Sequence, residues 1–246
     1  MSGPSPYLEA NLAINSDTAK LSTRNPLPTV MDMLVVIDVY NRNMITIMER
    51  ILFLHGFTSS GDCEIANTLR TSLKATAEIM APDLPLYPYT AMDMLKDMCG
   101  AERFDLIVGS SCGSFYGQQL VGLTGLPAIL VSPFLKMTEF LEPRLGEHEY
   151  KSPRADGRQR FKVTQQLVDE FAKMQRHQFD HYSEANRYRV WGMFGSHDTI
   201  SHFRNLFVRY YPTAIDYDGP HTMTAENVRH DLVPAILKIT EDLNLK

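Results

Sequence analysis

A sharp turn between a buried strand and a helix constrains this chain more than any other feature. Residues 104–108, Phe-Asp-Leu-Ile-Val, form a short apolar run suited to a parallel strand. Gly109-Ser110-Ser111-Cys112-Gly113 follows, and residues 114–121 read as a helix with Phe115, Leu120 and Val121 available for packing. A strand that turns straight into a helix brings the two elements close together, and small residues beside the turn are what permit that approach. Gly109 and Gly113 stand two positions either side of Ser111. The spacing Gly-x-Ser-x-Gly therefore predicts Ser111 at the tip of a strained strand-to-helix turn, a nucleophile elbow.

The same alternation runs along the chain. Buried-strand runs are expected at 50–54, 77–81, 104–108, 127–131, 188–194 and 214–217. Helices are expected at 62–74, where Ile65, Leu69 and Leu73 share a face, at 90–98, and at 224–243, where Val228, Leu232, Ile236 and Ile239 or Leu243 form a stripe. Strands alternating with helices predict an α/β fold with a mainly parallel central sheet and helices on both faces. Residues 48–246 suffice for one such domain, since 246 residues with 44% hydrophobic content can fill its core. Residues 135–187 form a lid-like insertion between two strands, with a polar, loop-like stretch at 147–159 and a helix at 161–174. Val163, Leu167, Val168, Phe171 and Met174 give that helix its apolar stripe. Residues 1–47 are an extension to which the sequence assigns no role; it is rich in Ser, Asn, Pro and Thr up to Pro28, with a strand at 33–40. Met31, Met33, Met44 and Met48 allow translation to begin downstream, because Met48-Glu-Arg opens onto the first regular strand.

Composition narrows the partners. The formal net charge is −5 with both signs well mixed, which predicts no nucleic-acid partner. Cys63, Cys99 and Cys112 are odd in number and lack CxxC spacing, so neither a disulfide framework nor a zinc site is expected. No apolar run approaches the roughly 20 residues of a membrane span, and the N-terminus lacks a signal-peptide pattern. A soluble cytoplasmic protein with no metal or cofactor is the expectation; the oligomeric state is not constrained.

In parallel α/β sheets ligands gather at the carboxyl ends of the strands. Ser111, Asp198, His221 and His55 all fall just after expected strands, so they should converge on one edge. A serine hydroxyl becomes a good nucleophile when a base takes its proton and an acid orients the base. His221, in Asp218-Gly-Pro-His221, is the expected base, and Asp198, in Gly195-Ser-His-Asp198, the expected acid. His197 is an alternative base and Asp218 an alternative acid, while Asp198 also suits the cap of a helix starting at Thr199. The backbone N–H groups of Cys112 and Phe57 are the expected donors to a developing oxyanion. His55, Gly56, Tyr87, Tyr116 and Phe134 are the expected substrate-binding residues. Acyl transfer, peptide cleavage and a non-catalytic binding protein on the same scaffold stay open as alternatives to hydrolysis of a small-molecule ester.

These residues together resemble the α/β-hydrolase superfamily, and more narrowly the YqiA-like family of small bacterial esterases. The resemblance rests on residues 51–60 (ILFLHGFTSS), 82–88 (PDLPLYP), 108–116 (VGSSCGSFY), 131–134 (VSPF), 195–198 (GSHD) and 219–221 (GPH), and spans about residues 48–242. The chain departs from the family by Cys112-Gly-Ser after the serine and by His197 before the acid. The resemblance implies an α/β-hydrolase fold and cofactor-free hydrolysis of carboxylic esters or thioesters.

Overall fold

The computed structural model describes residues 49–243. The extension at 1–47, its expected strand and Met48 lie outside the described residues.

In chain order the first half comprises β1 (Glu49–Leu54), α1 (Glu64–Ser72), β2 (Ala77–Met80), α2 (Pro88–Ala101), β3 (Leu106–Ser110), α3 (Cys112–Thr124) and β4 (Ala128–Val131). The insertion carries α4 (Met137–Leu141), β5 (Gly146–Glu149), β6 (Arg160–Val163) and α5 (Gln165–Arg176). The chain then returns through β7 (Val190–Gly195), α6 (Arg204–Tyr210) and β8 (Thr213–Tyr217), and closes with α7 (Ala225–Asn227), a π-helical turn (Val228–Leu232) and α8 (Val233–Asp242). The main sheet has six strands in the order β2-β1-β3-β4-β7-β8, and every pairing is parallel.

The central strands alternate sides at every residue because the pleat has a period of two. Ile51, Phe53, Leu106, Val108, Ile129 and Val131 pack on one face with Leu69, Ile236 and Ile239. Leu52, Leu54, Ile107, Ala128 and Leu130 pack on the other with Leu95, Phe115, Leu120 and Phe171. Both faces being covered explains why these strands read as continuous apolar runs rather than as alternating patterns.

Three expectations need correction. The polar stretch at 147–159 contains β5, which pairs antiparallel with β6, Gly146 opposite Val163 and Glu149 opposite Arg160. The sequence of β5 hides it: Gly-Glu-His-Glu offers no apolar partner for alternation. The helix expected from 161 starts at Gln165, because Phe161 and Val163 point inward from β6 and Thr164 caps α5 by accepting the Leu167 N–H at 3.2 Å. No helix starts at Thr199 either; α6 begins at Arg204. The closing helix bears the expected stripe of Val228, Leu232, Ile236 and Ile239, all buried. Its π turn, in which the Val233 N–H reaches the Val228 carbonyl, lies beside Pro234. Proline has no N–H to give and clashes with α-helical carbonyl geometry, and a widened turn relieves both. None of the described helices is long and apolar enough to cross a membrane.

Candidate active site

The turn between β3 and α3 places Ser111 at φ 53° and ψ −117°, outside the regions a residue with a Cβ ordinarily occupies. Two features hold it there. A side chain at Gly113 would run into the Leu54 carbonyl, and one at Gly109 would come within 2.7 Å of the Gly113 carbonyl oxygen, so α3 can lie against β1 and β3. The Ser111 N–H donates to the Val131 carbonyl (2.9 Å), and the Ser114 hydroxyl sits between the Gly109 and Val131 carbonyls (2.9 and 3.2 Å).

His221 and Asp198 leave the carboxyl ends of β8 and β7 and meet Ser111. His221 Nδ1 lies 2.8 Å from Asp198 Oδ2, and its Nε2 lies 2.9 Å from Ser111 Oγ. An ionised carboxylate only accepts, so Nδ1 carries a proton, and Nε2 is the ring nitrogen positioned to accept from the Ser111 hydroxyl. Asp198 is 5% exposed and His221 11%, so their bond is shielded from water. Burial pushes the Asp198 carboxyl upward. The N–H groups of Ser201 and Ile200 (2.8 Å each, to Oδ1) and the His221 ring outweigh it and hold the carboxyl below its ordinary value.

Ser111 and His221 open into a cavity of about 460 Å³, walled by Gly56 and Phe57 after β1 and by Lys151, Ser152 and Pro153 from the loop between β5 and β6. Gly56 approaches so closely that a Cβ there would be 3.5 Å from that of Ser111. The Phe57 ring makes edge contacts with Phe140, Phe161 and Phe171. The other expected lining residues, His55, Tyr87, Tyr116 and Phe134, are not among those that wall this cavity. His55 is buried: its Nδ1–H donates to the Gly56 carbonyl (2.8 Å), and its Nε2 accepts the Leu84 N–H (2.9 Å). Burial pushes its pKa down to about 4, keeping the ring neutral. Tyr116 is buried against Phe115 and Phe171, and Tyr87 directs its hydroxyl toward Thr164 (3.5 Å). Phe134 meets the His221 ring edge-on with centroids 6.2 Å apart. Cys112 is buried with its thiol pushed up to about 12 by burial, so it stays protonated. His197 and Asp218 are exposed and pair with each other at 2.8 Å.

Sequence reasoning missed Lys151, Ser152, Pro153, Ile200 and Thr222, which also line the cavity. The turn-rich residues 151–157, Lys-Ser-Pro-Arg-Ala-Asp-Gly, carried the available signal for the first three. Among the described residues no group of three or more His, Cys, Asp or Glu is arranged to hold a metal ion.

A six-stranded parallel sheet with a serine elbow on its third strand defines the α/β-hydrolase fold. Among solved structures, the fold is similar to Est1E from Butyrivibrio proteoclasticus (TM-score 0.59, 14% identity, covering 81% of this chain and 91% of that one). It is also similar to a monoacylglycerol lipase from Paleococcus ferrophilus (TM-score 0.58, 12% identity, 77% and 94%) and to mouse alpha/beta hydrolase domain-containing protein 10 (TM-score 0.56, 15% identity, 79% and 90%). More narrowly, the chain belongs to the uncharacterised protein family UPF0227, which matches residues 50–237 and is the YqiA-like family resembled by the sequence.

Proposed function

We propose that this protein is a serine hydrolase that cleaves small carboxylic esters or thioesters through an acyl-enzyme at Ser111. The observation that carries the reading is the unbroken hydrogen-bonded chain from Ser111 through His221 to Asp198 at the edge of an open cavity. Ser111 Oγ attacks the acyl carbon while its proton passes to His221 Nε2, and the carbonyl electron pair moves onto oxygen. The N–H groups of Phe57 and Cys112 stabilise that oxyanion; Cys112 is the first residue of α3, where a helix leaves its N–H groups without internal acceptors. Collapse expels the alcohol or thiol, which takes the proton from His221, and water then repeats the sequence to release the acid. Asp198 fixes the ring tautomer and stabilises the imidazolium. The cavity volume suits a small acyl compound, and the lipase among the structural neighbours is consistent with ester cleavage.

Labelling with a fluorophosphonate probe followed by peptide mass analysis tests the proposal. The expected result is an adduct on Ser111 that is lost in His221→Ala. Folded protein that takes no adduct at Ser111 would instead indicate a binding protein on a hydrolase scaffold.

A further inference from the structure

The corner where the chain leaves β4, Val131 to Phe134, touches every element that carries the Ser111–His221–Asp198 chain. The Val131 carbonyl accepts from the Ser111 N–H (2.9 Å). The Pro133 carbonyl accepts from the Ser201 hydroxyl (2.7 Å), and the Ser201 N–H is one of the two held by Asp198. The Ser132 N–H donates to the Met193 carbonyl on β7 (2.8 Å). Finally, Ser132 Oγ lies 3.2 Å from the Tyr217 hydroxyl, and that hydroxyl donates to the Pro220 carbonyl (2.8 Å), immediately before His221.

The direction of this last pair of bonds is fixed. Tyrosine has one hydroxyl proton, and it goes to Pro220, so the Ser132 hydroxyl donates to the Tyr217 oxygen. Ser132 is fully buried and has φ 45°, a left-handed conformation that a side chain adopts at a cost. Tyr217 is buried as well, and burial pushes its pKa up, so it remains a donor at neutral pH. Neither hydroxyl reaches the cavity lining. What they supply is a position: the carbonyl preceding His221 is tied across the sheet to the segment that also ties Ser111.

We infer that Ser132 and Tyr217 form a buried hydroxyl relay that fixes the His221 loop against the Ser111 turn, making both of them positioning residues. Its kinetic consequence rests on the serine-hydrolase reading, because proton transfer between Ser111 and His221 depends on their alignment.

Ser132→Gly removes the hydroxyl without straining the backbone. Glycine takes a φ near 45° without steric cost, so the turn keeps its conformation while the bond to Tyr217 is lost. With p-nitrophenyl acetate as probe, the relay predicts kcat lower by about three- to tenfold at a KM within about twofold, the loss one hydrogen bond accounts for. Tyr217→Phe should give the same split. The double variant should fall little further than either single one, because the two hydroxyls act in series. A second readout needs no turnover: the His221 Nδ1–H proton resonance should broaden and exchange faster with water in both variants. Unchanged kcat and an unchanged resonance in a folded variant would overturn the relay. If the unaltered protein cleaves no ester, the hydrolase reading fails and the resonance alone decides the relay, broadening supporting it and constancy refuting it. If Tyr217→Phe fails to fold, Ser132→Gly carries both readouts.

Discussion

The two oxygens of Asp198 take different partners: Oδ1 accepts the N–H groups of Ile200 and Ser201, and Oδ2 faces the His221 ring. Capping a turn and orienting a histidine, two readings that compete in the sequence, are therefore compatible in one carboxylate. Asp218, the other acid the sequence offers, has an 88% exposed side chain and bonds to His197 and Ser196. The expected outcome is that Asp198→Asn lowers kcat by on the order of 10² to 10⁴, while Asp218→Asn leaves it within about twofold. Steady-state kinetics on one ester checks the ranking, and the reverse order would move the acid to Asp218. Ser111, Asp198 and His221 are legible because each stands at a strand end in chain order. Ser132 and Tyr217 are not, since no motif or chain order marks a buried serine–tyrosine hydroxyl pair.

Between elements, the junction that shapes the cavity is a clasp centred on Asp83, in the segment after β2. Asp83 Oδ1 accepts the Gly61 N–H (2.8 Å), and Oδ2 accepts the Ala155 N–H (2.7 Å) from the loop between β5 and β6. Arg154 in the same loop has a buried side chain, donates to the Leu84 carbonyl (3.1 Å) and packs its guanidinium over Tyr150. Thr58 and Ser59 hold the loop from the other side, through the Lys151 N–H (2.7 Å) and the Ser152 hydroxyl (3.0 Å). Asp83→Ala should free the loop so that trypsin cuts after Lys151 or Arg154 several-fold faster than in the unaltered protein, read by timed digestion and mass analysis. Equal rates would mean that the remaining bonds suffice. The sequence offers the central strands of the sheet because they are buried on both faces and so read as apolar runs, and the edge strands β2 and β8 through their place in the strand–helix alternation. It conceals β5, a solvent-facing strand with no apolar residue, and with it the wall that the insertion lends to the cavity.

For the whole molecule, the parallel sheet collects the carboxyl ends of β1, β3, β7 and β8 on one edge, and the cavity lies there. The buried groups of that edge also set the response to acid. His55 has its pKa lowered from about 6.5 to about 4, so between those values the unfolded chain binds a proton that the native state refuses. Stability should therefore fall as pH drops through that interval, by up to about 3 kcal/mol at roughly 1.4 kcal/mol per pKa unit. Asp83 and Asp198 are both held below the ordinary carboxylate value, so their stabilisation is present above it and is lost on further acidification. Urea midpoints from pH 7.5 to 4.5 should decline, and the part lying between pH 6.5 and 4.5 should flatten in His55→Gln; a midpoint constant over that range would contradict neutral burial of His55. Covalent chemistry at Ser111 is tested most directly by trapping the acyl-enzyme itself. Protein mixed with p-nitrophenyl acetate and quenched in acid during the first turnovers should carry an acetyl group on the Ser111 peptide, absent from Ser111→Ala. Turnover with that peptide unmodified, or with the acetyl group on another residue, would contradict it.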